Sequence, residues 1–267
     1  MKQDFKEHLA RLNLAQNTIT AYLHAVDLFE KKYGEVNKKN LLSFKGYLVE
    51  NFKPKTANLR IQAINNYLRF LGKEKLCLKA IKIQQKPFLE NVISDPDYRF
   101  FKASLKKDNQ MNWYFVVRFL AATGARVSEL VQIKVEHVVA GYIDLYSKGG
   151  KIRRIYIPST LQKECLQWLE TLGRSTGYLF INKSGRKVST RGLAGQLKKL
   201  GVKYGLEPSV IYPHSFRHRF AKNFLEKYND IALLADLMGH DSIETTRIYL
   251  RRTAQEQRAI VDKIVIW

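Results

Sequence analysis

Residues 212–220 read YPHSFRHRF, placing two histidines and two arginines within positions 214–219 just where an amphipathic helix begins. Three readings compete for this stretch: half of a metal site, a patch that grips nucleic acid, or part of an active site acting on a phosphate. His214 and His218 stand four apart, as two zinc ligands on one helical face would. The residues between them are Ser215, Phe216 and Arg217, with no glutamate to serve as base. Arg217 and Arg219 would repel a dication, and no Cys/His/Asp cluster elsewhere offers a third ligand, so no metal is expected. The phosphate readings remain.

Charge points the same way. The 267 residues carry a formal net charge of +22, with 17 Lys/Arg against 9 Asp/Glu in residues 1–95 and 29 against 15 in residues 96–267. A basic tail would concentrate this excess; here both parts of the chain carry it, which suits a protein that surrounds a polyanion such as double-stranded DNA. A hydrophobic content of 45% is enough for real cores and excludes wholesale disorder. Cys77 and Cys165 lie in no metal-ligand spacing and read as ordinary thiols in a reducing compartment. The opening MKQDFKEHLARLNL has no apolar signal core, and the most apolar run, WYFVVRFLAATGA (113–125), is short and holds Arg118. The expected location is the cytoplasm, with the nucleoid as the place of work.

Periodicity gives a mainly α fold. In 17–34, Ile19, Tyr22, Leu23, Val26 and Phe29 recur at helical spacing, with Asn17 or Thr18 as N-cap and Gly34 as the stop. Leu41, Leu42, Phe44 and Leu48 mark a further helix, and Ile61, Ile64, Tyr67, Leu68 and Leu71 another, ending at Gly72. With a short opening helix, residues 1–82 form a four-helix domain. Residues 83–96 lose the pattern and read as a linker. From 97 to 267 helices return, interrupted by GYIDLYSKGGKIRRIYIP (141–158), a β-hairpin around a Gly pair. The second domain is therefore α-rich with a small antiparallel sheet.

Beside HSFRH stand other residues that carry chemistry: Arg126 in TGARVSEL, Lys148 in SKGGK, His240 in LMGHDS and Tyr249 in TTRIYL. Taken singly each has a plain reading: a helix salt bridge for Arg126, a solvated turn lysine for Lys148, a C-cap for Gly239, packing for Tyr249. Together and in this order they resemble the tyrosine recombinases, or phage integrase family, in a compact Xer-like form. The resemblance is densest across 121–250, and the N-terminal helices look like that family's core-binding domain.

What the resemblance implies can be weighed as chemistry. A phenol of pKa about 10 is on the order of one part in a thousand phenolate at neutral pH, so Tyr249 needs a base and a favourable field to attack a phosphodiester. Arg126 and Arg217 would clamp the non-bridging oxygens with forks that stay charged. Lys148 would protonate the leaving 5′-oxygen, with Lys151 as its rival. His214 would take or steer the tyrosine proton, His240 would hydrogen-bond a non-bridging oxygen, and Glu129 would orient an active-site group. His218 reads as structural. The product is a 3′-phosphotyrosine, whose phosphoester stores the bond energy, so the reaction needs no cofactor, neither metal nor ATP.

The family also implies a C-shaped clamp around a DNA core site and a homotetramer on two sites, the free protein being a monomer or weak oligomer. The tail LRRTAQEQRAIVDKIVIW (250–267) carries Ile260, Val261, Ile264 and Val265 on a final helix, about 254–266, that docks on its own domain or on a neighbour. Thr56, Asn58 and Arg60, and Arg191 and Gln196, start helices beside lysines and are either DNA contacts or solvated surface. The chain begins only a few residues before its first helix, which leaves no room for an arm-binding domain and suggests simple core sites. Chromosome dimer resolution, integration and excision of a mobile element, and inversion all remain open. So do two rivals: a type IB topoisomerase-like nicking-closing enzyme, and a non-catalytic DNA-binding regulator.

Overall fold

A computed structural model describes residues 2–83, 91–146, 152–250 and 254–265. The chain divides into two compact units, Met1–Gln85 and Lys86–Trp267.

The first unit is built from helices α1 (Lys2–Arg11), α2 (Gln16–Tyr33), α3 (Lys38–Asn51) and α4 (Pro54–Phe70). Gly34 ends α2 at φ 67°, a conformation that costs a glycine little. The start of α2 differs from expectation. The helix begins at Gln16 behind Ala15, which has no capping side chain, so Asn17 and Thr18 lie inside the first turn. Asn37 does cap α3, accepting from the Asn40 N–H at 2.9 Å. Phe5, Phe29, Phe44, Ile61, Ile64 and Leu68 fill the core. Leu42, expected inside, is exposed, because the buried line of α3 runs through Leu41, Phe44 and Leu48 and leaves position 42 to one side.

After α4 the chain runs back along it, held by two asparagines one heptad apart. Asn65 Oδ1 accepts from Leu78 N and its amide donates to Leu78 O; Asn58 does the same with Ile81. Each side-chain amide thus acts as a one-residue strand partner for backbone that has no ladder of its own.

The second unit opens on α5 (Asp95–Lys107), capped by Ser94, so the helix begins two residues inside the stretch read as linker. Helix α6 (Met111–Thr123) is apolar nearly all round and sits at the centre, packed against α5 and against the helix that begins at Pro213. Short helices α7 (Val127–Leu130) and α8 (Val135–Ala140) lead to the hairpin, β1 (Tyr142–Tyr146) paired antiparallel with β2 (Ile152–Tyr156). The register sets Ile143 opposite Ile155 and Leu145 opposite Arg153 on one face, and Tyr142–Tyr156, Asp144–Arg154 and Tyr146–Ile152 on the other. Then follow α9 (Ser159–Thr171), α10 (Thr190–Lys203), α11 (Pro213–Tyr228), α12 (Ile231–Met238), α13 (Ile243–Thr246), a 3-10 turn Arg247–Leu250 and α14 (Ala254–Ile264). No described helix is long and apolar enough to cross a membrane. Cys165 is buried, and burial pushes its thiol up to about 12; Cys77 and Cys165 are both free.

Candidate active site

The stretch HSFRH forms the first turns of α11. Pro213 occupies its first turn, where a missing N–H costs nothing. Ser215 is fully buried and accepts from the Ile93 N–H at 2.8 Å, which fastens this end of α11 to the chain entering the unit. Arg217 follows one turn after His214 and is 1% exposed.

So deeply buried a guanidinium must find acceptors, and it finds carbonyls. Its Nη1 donates to Gly124 O at 2.6 Å and its Nη2 to Met238 O at 2.8 Å. Gly124 closes α6 at φ 62°, and a Cβ there would stand 2.5 Å from the Phe220 ring. Met238 is the last residue of α12, and it is not alone in this role. Leu237 O accepts from Arg153 Nη2 at 2.8 Å, and Gly239 O accepts from Arg126 Nη2 at 2.8 Å. Three successive carbonyls that no intrahelical N–H satisfies are therefore each met by a different arginine, at the helix end whose dipole favours cations.

The same arginines share one carboxylate. Glu129 Oε1 lies 2.8 Å from Arg126 Nη1 and 2.5 Å from Arg153 Nη1. Its Oε2 accepts from the Arg126 backbone N–H at 2.6 Å and stands 4.0 Å from Arg217 Nη1. Burial alone would raise this carboxyl, but Arg153, the backbone N–H and the Arg126 side chain together hold it below the usual carboxylate range. Three guanidiniums against one carboxylate leave this cluster a surplus of positive charge. Arg126, Arg153, Glu129 and His240 line a cleft of about 910 Å³ between the hairpin and α12. Burial first, then the charges of Arg126 and Arg153, pull Arg217 down to about 10, still protonated at neutral pH.

Tyr249 is brought to this cluster by the turn after α13. It is 5% exposed, packed with Ala221, Leu225, Leu234 and Met238. Its ring is stacked with His240 at 6.2 Å between centroids and tilted against His218 at 5.2 Å, and His218 in turn meets His214 edge-on at 4.3 Å. Burial raises the phenol above its ordinary value, against the opposing pull of Arg217 and Arg126. Burial also lowers all three imidazoles, helped by the arginines and, for His218 and His240, by His214; His218 and His240 fall to about 4.

Arg126, Glu129, Arg217, His240 and Tyr249 thus converge, with His214 joined through His218. Residues 97–256 match the sequence profile described as the phage integrase family. The chain belongs to the phage integrase family. It is 30% identical over 270 residues to tyrosine recombinase XerA of Pyrococcus furiosus, covering 98% of this chain and 92% of that one. It is 27% identical to tyrosine recombinase XerD of Staphylococcus epidermidis, over 88% of each chain. Among solved structures, XerH site-specific recombinase bound to its difH substrate superposes with a TM-score of 0.70 at 20% identity, over 94% of this chain and 80% of that chain.

The remaining expected residues lie outside this cluster or outside the described residues. Lys148 and its rival Lys151 lie outside the described residues, between β1 and β2. Arg191 is exposed and Gln196 half-buried on the first turns of α10. Thr56 is exposed on the first turn of α4; Arg60 stacks on the Phe52 ring at 3.8 Å, and Asn58 gives its amide to Ile81. Sequence reasoning missed Arg153 and Thr246 and set His218 aside as structural. The alternation of β2 could have signalled Arg153, since it shares the inward face with Ile155 while its neighbour Arg154 pairs outward with Asp144 through two 2.7 Å bonds.

Gly239 is fixed twice over. Its φ is 60°, and a Cβ would stand 2.2 Å from Arg153 Cδ. Gly239→Ala is expected to destabilise the second unit by about 2–3 kcal/mol through strain and displacement of Arg153. The check is thermal melting beside Gly173→Ala, where φ is 61° but nothing lies within 4 Å of the added Cβ; its smaller loss marks the part due to φ alone.

Acid sensitivity follows from the imidazoles. His218 and His240 titrate near 4 when folded and near 6.5 when unfolded, so the unfolded chain binds more protons between those values. Stability is fully present above about pH 6.5 and falls toward pH 4 by up to roughly 1.4 kcal/mol per pH unit for each histidine. Glu129, whose carboxyl is lowered, adds to the loss below its own unfolded value. Melting temperature should hold from pH 7.5 to about 6.5 and drop from there to pH 4.5, and His218→Gln should flatten that slope.

Proposed function

We propose that this chain is a site-specific DNA recombinase that breaks and rejoins strands through Tyr249. The phenolic oxygen attacks a backbone phosphorus; the P–O bond to tyrosine forms as the bond to the 5′-oxygen breaks, leaving a 3′-phosphotyrosine and a free 5′-hydroxyl. Arg126 and Arg217 hold the non-bridging oxygens where charge gathers in the transition state. The buried Nε–H of Arg217 has no partner among the described residues, a donor that an entering phosphate oxygen would satisfy. His214 accepts the phenolic proton, with His218, whose ring meets both, as the relay. The incoming phosphate anion raises these imidazoles from their depressed values and makes them better acceptors. Lys148 or Lys151 protonates the departing oxygen, and a second DNA 5′-hydroxyl reverses the step on a new strand. Glu129 keeps Arg126 in line.

The observation that carries this reading is the surplus of guanidinium charge beside a buried tyrosine. The experiment is covalent trapping. A duplex from DNA flanking the protein's own gene, nicked so that cleavage releases a short strand, is incubated without metal or ATP and resolved on denaturing gels. A protease-sensitive protein–DNA band whose peptide maps to Tyr249 is expected; a band mapping to another residue, or none despite tight binding, overturns the assignment.

Recombination on two sites calls for a tetramer. Supporting it, Val261 and Ile264 of α14 and Val265 just after it are exposed in the single chain, an apolar face suited to a neighbouring copy. Ile264→Asp should leave single-site binding intact and abolish the two-site complex in sedimentation.

A further inference from the structure

We propose that Thr246 is a positioning residue whose hydroxyl sets the tautomer of His240 and allows that imidazole to change partners when phosphate arrives. The inference rests on the reading of His240 given above. Thr246 is fully buried, and its Oγ1 lies 2.7 Å from His240 Nδ1. On the other side of the ring, Nε2 lies 3.0 Å from Arg217 Nη2. A guanidinium has only donors, so Nε2 must present its lone pair; the single proton of the neutral ring is then on Nδ1, and Thr246 accepts it.

In that state His240 has no proton to offer a phosphate. A non-bridging oxygen is an acceptor, so the ring serves it only with a proton on Nε2. That demands either an imidazolium, whose Nδ1–H still needs an acceptor, or the other neutral tautomer, whose Nδ1 needs a donor. A hydroxyl is both, and by rotating about its C–O bond Thr246 meets either demand without moving the backbone. A carbonyl in its place could only accept, and would lock the ring with its proton on Nδ1.

The bond also has a position in the chain that matters. Thr246 is six residues after His240 and three before Tyr249, and the His240 and Tyr249 rings lie 10° from parallel. The hydroxyl therefore ties His240 to the stretch of chain that leads, three residues on, to Tyr249.

Thr246→Val keeps the shape and removes donor and acceptor together. On the nicked duplex carrying the site recovered by trapping, its single-turnover cleavage should fall about 10- to 100-fold while binding of that duplex is unchanged. Thr246→Ser should recover most of the loss. Thr246→Val placed on His240→Ala should add no further loss, because the hydroxyl acts through the imidazole. In the free protein, nitrogen-15 spectra of labelled histidine should find the His240 proton on Nδ1. A proton on Nε2, wild-type cleavage by Thr246→Val, or a serine variant as slow as the valine one would overturn the proposal. So would an undiminished valine effect on the His240→Ala background. A His240→Ala protein that cleaves at the wild-type rate would sink the role of His240 itself, and with it this inference. Failure of Thr246 alone leaves the His240→Ala defect standing.

Discussion

Tyr249→Phe is expected to form no covalent complex with DNA yet to bind it as the parent does. The substitution deletes one oxygen from a ring that is 5% exposed and packed among Ala221, Leu225, Leu234 and Met238, so the turn after α13 keeps its filling. Stability should change by no more than about 1 kcal/mol, the worth of one hydrogen bond. The site keeps its guanidinium charge, since Arg126 and Arg153 rest on Glu129 and on carbonyls, and Arg217, which also faces the phenol, keeps Gly124 O and Met238 O. What disappears is the nucleophile. The trapping gel should therefore lose its band completely while gel-shift affinity stays within twofold of the parent. A regulator that had merely kept the clamp would show no band with either protein. A band that survives in the phenylalanine variant would place the nucleophile elsewhere.

Arg217→Lys comes next in size. The arginine directs donors in one plane at Gly124 O, Met238 O and His240 Nε2, and it is 1% exposed. An ammonium is a point charge on a flexible stem and cannot serve those directions and a phosphate oxygen together. Cleavage should slow by about 10²–10³-fold, the cost of one well-aimed oxyanion donor. Arg217→Ala should match that and also destabilise the second unit by about 3–5 kcal/mol, because the carbonyls are left buried without partners and Glu129 loses a nearby cation. Single-turnover cleavage and thermal melting together separate the two effects. A lysine variant that cleaves within tenfold of wild type would move the clamp to Arg126 and Arg153.

Sequence made some of this legible for local reasons. Gly34 ends α2 because a positive φ suits glycine. The start of α2 was hidden, since Ala15 does its work with backbone alone. Arg126, Arg217, His240 and Tyr249 were visible by residue type and order. Arg153 was not, because KIRRIYIP offers two adjacent arginines and only the strand register says which turns inward. Thr246 was invisible for another reason: a threonine acquires meaning only from burial beside an imidazole. Asn58 looked like a DNA donor, but its partner is the backbone of Ile81, 23 residues away, a pairing no local pattern encodes.

The end of α12 carries a lesson about tolerance to mutational drift. Three of the groups that seat the arginines are main-chain oxygens of Leu237, Met238 and Gly239, and every amino acid brings the same oxygen. The side chain at 238 answers to its packing under Tyr249, not to the arginine that its carbonyl seats. The template for the charge is the way a helix stops, and its hereditary cost is confined to one glycine.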